Sequence, residues 1–136
     1  MENKFIVNSF ESITNPLGDI YKIINHNSKN YIGFQELYIT SIKKNKIKAW
    51  KNHLLMQSNL IVIKGKVKFV FVINDNNFET ITISELDHQY LTIFPKTIFG
   101  FQCIDSPVSK IMNFSNLLHD KNESINYDIQ KYKYDW

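Results

Sequence analysis

Along most of this chain apolar and polar positions alternate over short spans, with turn residues between them. Residues 36–40 (Glu-Leu-Tyr-Ile-Thr) read as a strand that runs into a lysine-rich turn. Residues 47–56 and 59–63 give a second and a third. Gly65 marks a turn or bulge, and the apolar run resumes over 67–73. Asn74-Asp75-Asn76-Asn77 is a turn built of residues that tolerate left-handed backbone. Beyond it Phe78, Thr80 and Thr82 alternate against Glu79, Ile81 and Ile83. A strand over 90–94 is stopped by Pro95, and strands over 99–104 and 108–114 flank an Asp105-Ser106-Pro107 turn. Helical period is nearly absent; the one helix-like stretch, 115–126, is short and polar.

Many short strands punctuated by turns predict an all-β sandwich or barrel. A jelly-roll barrel is the natural choice, because its open interior can take polar side chains. Pattern alone leaves an immunoglobulin-like sandwich open. The aromatic tail, 127–136, is expected to pack across an end or an edge of the barrel. No linker or internal repeat interrupts the 136 residues, so 1–136 reads as one domain with room for a sizeable core.

Composition narrows the partners. All sixteen basic residues are Lys, so no bidentate guanidinium fork is available for base edges or phosphates, and nucleic acid is not an expected partner. Lys43, Lys44, Lys46 and Lys48 read as a solvated turn. The lone Cys103 excludes an intramolecular disulfide, suits a reducing compartment, and reads as a buried, inert thiol. Lys64, Lys66 and Lys68 break the longest apolar run well short of a membrane span, and the opening Met-Glu-Asn-Lys is unlike a signal peptide. No membrane association and a cytoplasmic location are therefore expected.

The candidate chemistry lies in residues 47–56. Lys51 and His53 are two apart in a strand, which puts a cation and a titratable imidazole on one face. Glu36 and Tyr38 share a face in the same way. An inward lysine is costly unless its cavity is wet or holds an anion. Lys48 and Lys51 differ by an odd number, so both reach one ligand only if a bulge or turn intervenes. Trp50, Phe99 and Phe101 could stack on a base or sugar or fill the core. Gln57 and Asn59 are candidate polar sugar contacts, whereas His26, His88 and His119 sit in polar surroundings and are expected at the surface.

Several segments resemble, in the same order, the dTDP-4-dehydrorhamnose 3,5-epimerase-like (RmlC-like) cupins, especially short relatives ending in Tyr-Asp-Trp. They are Ile47-Lys48-Ala49-Trp50-Lys51-Asn52-His53, Leu60-Ile61-Val62-Ile63-Lys64-Gly65-Lys66-Val67-Lys68-Phe69-Val70, Leu91-Thr92-Ile93-Phe94-Pro95-Lys96-Thr97-Ile98-Phe99-Gly100-Phe101-Gln102 and the closing Tyr134-Asp135-Trp136. The likeness runs from Glu36 to the C-terminus. It implies a cupin jelly-roll barrel, a homodimer, and a nucleotide-linked 4-keto-6-deoxy sugar as substrate. The implied reaction is cofactor-free: a histidine removes the proton next to the ketone, a basic residue steadies the enolate oxygen, and a tyrosine returns a proton.

Residue by residue, the family's basic residue three before the histidine falls on Lys48, and the catalytic histidine falls on Lys51. His53 falls where the related sugar 3,4-ketoisomerases carry the second histidine of a His-X-His pair. This makes His53 the expected proton carrier, with Lys51 a second candidate and Lys48 a contact to anionic oxygens. The family's sugar-site glutamate lies in the strand that holds Glu36. A family lysine falls on Asn59 and a family histidine on Phe99, while no tyrosine stands near Asn116 or Leu117, where the acid is expected. No metal is expected, because Lys51-Asn52-His53 replaces the usual cupin His-X-His ligands. A non-catalytic sugar-nucleotide-binding cupin is the alternative reading.

Overall fold

The computed structural model describes residues 3–136. It contains twelve strands: β1 (Phe5–Ser9), β2 (Glu11–Ile13), β3 (Ile20–Lys22), β4 (Glu36–Lys43), β5 (Ile47–His53), β6 (Ser58–Lys64), β7 (Lys66–Asn74), β8 (Asn77–Ser84), β9 (Gln89–Ile93), β10 (Ile98–Ile104), β11 (Val108–Ser115) and β12 (Ser124–Asn126). One antiparallel sheet has the order β1-β9-β6-β11-β4 and the other β12-β5-β10-β7-β8, while β2 and β3 form a separate hairpin. From β4 to β12 the chain changes sheet at every connection except the β7–β8 hairpin. That alternation defines a jelly roll and settles the choice against an immunoglobulin-like sandwich.

The core lies between the sheets, where Leu60, Val62, Val67, Phe69, Phe71, Leu91 and Ile111 meet. In β7 the alternate residues Val67, Phe69 and Phe71 point into this core with no exposure. Burying each such Phe contributes roughly 1.5–3 kcal/mol. On the other parity Val70 and Val72 are buried as well, on the outer face, against Trp50. The cover there is the C-terminal tail: Tyr127, Tyr132, Tyr134 and Trp136 pack on Trp50, Phe78 and Ile98. The tail therefore lies over the outer face of the β5-β10-β7-β8 sheet, rather than across an end or edge of the barrel. Lys68 Nζ adds a cation over the rings of Tyr134 and Trp136, at 5.1 and 5.5 Å from their centroids.

Residues 115–126 differ from the helix-like expectation. Ser115 ends β11, and the residues after it form turns and then β12, which pairs Ser124 with His53 and Asn126 with Lys51. The polar side chains here bond to nearby backbone, as Asp120 Oδ1 does in accepting from the Asn122 amide, which favours turns over helix. The only helical turn among the described residues is a 3-10 turn at Ile129–Lys131.

Candidate active site

A cavity of about 700 Å³ opens between the sheets. Its apolar wall comes from Leu60, Ile111, Phe99 and Phe101, and its polar groups include His53, Lys48, Lys51, Glu36, Tyr38 and Asn113. Strand β5 supplies three of these through an irregularity. Opposite β10, Lys51 pairs with Phe99 and Lys48 pairs with Phe101, so three steps along β5 answer two along β10. The extra residue reverses the in–out phase once. Trp50 turns outward into the tail cluster, where its Nε1 donates to the Ile129 carbonyl at 3.1 Å. Lys48 and Lys51 are thereby both delivered to the cavity, despite their odd spacing. Lys48 Nζ also donates to the Ser41 carbonyl at 2.9 Å.

His53 ends β5, buried at 8% exposure. Its Nδ1 lies 2.7 Å from Glu123 Oε1. Glu123 directly precedes β12 and is itself buried. Its other oxygen, Oε2, accepts from the Leu55 and Met56 amides at 3.0 and 2.9 Å. A carboxylate held at both oxygens fixes the imidazole with Nδ1–H toward Glu123 and leaves Nε2 as the free, basic nitrogen. Burial pushes the His53 pKa below its ordinary value, outweighing the opposing pull of Glu123. Burial alone would raise Glu123, but its bonds to His53 and to the two amides prevail, and its pKa falls below the usual carboxylate range. At neutral pH the pair is a neutral imidazole beside an anion, oriented to take up one proton.

The other walls carry further groups. Glu36 and Tyr38 share one face of β4, and that face lines the cavity. Glu36 Oε1 accepts from the His119 amide at 2.7 Å, which secures the segment that brings His119 to the cavity. His119, expected at the surface, is exposed and at the same time lines the cavity. Phe99 lies in the wall with its ring centroid 6.4 Å from that of His53. Burial raises the Tyr38 pKa and keeps the phenol protonated; the bond from Asn113 works in the opposite direction.

Gln57 and Asn59 are placed elsewhere. Ser58, Leu60 and Val62 are the inward side chains of β6, so their neighbours point out of the barrel. Gln57 Nε2 donates to the Asn30 carbonyl at 2.5 Å, and Asn59 Oδ1 accepts from Thr92 Oγ1 at 2.6 Å. Both belong to a buried polar network that ties residues 29–30 to the outside of the sheet, together with Asn8 and Tyr90. Neither of these two expected sugar contacts lines the cavity. Cys103 is buried, with Sγ 3.1 Å from Ser109 Oγ. Among the described residues no three His, Cys, Asp or Glu side chains converge, so the cavity lacks the donor set of a cupin metal centre. No helix among them is long and apolar enough to cross a membrane.

Sequence reasoning missed Glu123 and Asn113. Glu123 stands in the polar stretch read as helix-like, and only the pairing of β12 with β5 brings it to His53. Asn113 was hidden by its strand: the buried positions of β11 are Ser109, Ile111, Asn113 and Ser115, whereas the apolar Val108, Met112 and Phe114 take the other parity, so alternation pointed the wrong way.

This architecture is the jelly roll of the RmlC-like cupins. Several solved structures share it. A dTDP sugar isomerase from Desulfovibrio desulfuricans G20 is 20% identical, with a TM-score of 0.86 over 97% of this chain and 90% of that one. A sugar 3,4-ketoisomerase from Thermoanaerobacterium thermosaccharolyticum, in complex with TDP, is 16% identical, with a TM-score of 0.81 over 97% and 93%. A dTDP-4-dehydrorhamnose 3,5-epimerase from Sulfolobus tokodaii is 15% identical, with a TM-score of 0.82 over 99% and 84%. At these identities the likeness is one of fold. No protein-family model matches the sequence, and no curated protein matches it.

Proposed function

We propose that the cavity is the active site of an isomerase or epimerase acting on a nucleotide-linked 4-keto-6-deoxy sugar. The single observation behind this reading is the His53–Glu123 pair, a base with one free nitrogen set in the wall of a sugar-sized cavity. His53 Nε2 removes the proton on the carbon next to the ketone, and Glu123 stabilises the imidazolium that forms. Lys51 faces the oxygen on which enolate charge collects, and Lys48 takes a diphosphate oxygen. Tyr38 and Glu36 hold sugar hydroxyls, with Phe99 as an apolar backing. Return of the proton to the other face of the same carbon is epimerisation; return to the former carbonyl carbon, with the proton of the neighbouring hydroxyl passing to the enolate oxygen, is ketone isomerisation. The chemistry needs no cofactor. A cytoplasmic homodimer is the assembly in keeping with this role, and sedimentation at working concentration tests it.

The replacement of the family histidine by Lys51, and the lack of a tyrosine near Asn116, favour a second reading, a cupin that binds sugar nucleotides without turning them over. Incubation with dTDP-4-keto-6-deoxyglucose in D2O, followed by NMR, separates the two. Deuterium entering next to the ketone, and lost in His53→Ala, supports the enzyme; binding without exchange supports the binding protein.

A further inference from the structure

A second imidazole stands across the cavity from His53. His53 ends β5 in one sheet, whereas His119 lies in the segment that crosses from β11 in the other sheet to β12. That segment is fastened to the far wall, where Glu36, the first residue of β4, accepts from the His119 amide at 2.7 Å. Glu36, His53 and His119 all line the one cavity. The charge of the His119 ring is felt at His53, where with Lys51 it favours the neutral imidazole. Among the described residues the His119 ring makes no hydrogen bond, and it is exposed, so it can exchange protons with water. The other titratable groups of that wall are less suited to giving a proton: Glu36 is engaged with the amide, and burial holds the proton on Tyr38. Histidine is the side chain that both gives and takes a proton near neutrality.

We propose that His119 is the acid partner of His53: it protonates, from the opposite face, the carbon that His53 has deprotonated, so that the site inverts one carbon next to the ketone. This rests on the nucleotide-sugar reading above and narrows it to epimerisation. His53 Nε2 takes the proton, the C–H electron pair moves into the enolate, and charge collects on the oxygen that Lys51 faces. The His119 imidazolium then gives its N–H proton to the same carbon from the far side. The enolate pair forms the new C–H bond, and the ketone returns. His53 is left protonated and His119 neutral, and exchange with water resets both. Because a protonated His119 favours the neutral form of His53, each holds the other in its role.

The test follows two quantities by NMR with dTDP-4-keto-6-deoxyglucose in D2O: deuterium entering next to the ketone, and inversion of the carbon it enters. The wild type does both. His119→Gln keeps deuterium entry within about tenfold, because His53 still removes and returns a proton on its own face, while inversion falls at least about 100-fold. His119→Ala behaves alike, and added free imidazole restores part of its inversion, which a merely structural loss does not allow. Inversion at the wild-type rate in both variants overturns the role of His119. Equal loss of exchange and inversion, unrescued by imidazole, overturns it too, as does a wild type that exchanges deuterium without inverting the carbon. No exchange at all by the wild type overturns both this role and the enzyme reading beneath it, and is told apart from the other cases by the missing deuterium.

Discussion

Seventy positions separate His53 from Glu123 in sequence, and 2.7 Å separates Nδ1 from Oε1. The carboxylate is bonded on its other oxygen to two amides of the turn that follows His53, so it cannot swing away without leaving both unpaired. Glu123→Gln keeps the shape but replaces an anion with an amide, which cannot stabilise the imidazolium. Under the proposed mechanism the expected result is a loss of about 10²–10⁴ in kcat with a small change in KM, against complete loss of exchange in His53→Ala. Equal activity of Glu123→Gln and wild type would remove Glu123 from the mechanism.

The same pair sets a pH dependence of stability. The folded state holds His53 below its ordinary value of 6.5, so the unfolded chain takes up a proton first. This contribution is complete above about pH 6.5 and is lost as the pH falls through the lower folded value. Glu123, held below 4.5, acts with the same sign at lower pH, since its contribution is present above that value and lost beneath it. The denaturation midpoint should therefore decline from about pH 7 downward, and less steeply in His53→Asn. A midpoint as pH-dependent in the variant as in wild type argues against His53 as the cause.

Lys51 is half-buried beside a cavity that also holds Lys48 and His119. For an anionic ligand, Lys51→Met should raise Kd about tenfold and flatten its dependence on salt between roughly 50 and 500 mM. Unaltered salt dependence would place the anion elsewhere.

Gly65 is the whole connection between β6 and β7, in left-handed backbone with φ of 80°. A Cβ there would be driven into the hydroxyls of Ser106 and Ser109. Gly65→Ala should cost roughly 1–3 kcal/mol in chemical denaturation while leaving the cavity residues in place. A neutral effect would mean that both serines have room to turn aside.

How much was legible in the sequence differs by element. The strand-length spans from 36 to 114 correspond to β4–β11, because each pairs a short apolar run with a turn residue of known backbone preference. β2 and β3 were invisible: three residues each, exposed and paired only with one another, they leave no periodic trace. The outward placement of Gln57 and Asn59 could not be read because Leu60, Ile61 and Val62 are all buried, and a strand covered on both faces hides which parity faces in. Lys48 and Lys51 show the converse. Their odd spacing demanded a bulge, and a bulge stands between them. Glu123 depended on a contact that no local pattern records.

The outer aromatic cluster has a practical consequence. The chain has two tryptophans, Trp50 and Trp136, and their rings lie 5.3 Å apart on the back of the bulged strand. Intrinsic fluorescence from this protein therefore originates at one place, a single layer of backbone behind the two cavity lysines. It serves as an unlabelled optical gauge of that wall, and detachment of the tail from the sheet would register in it directly.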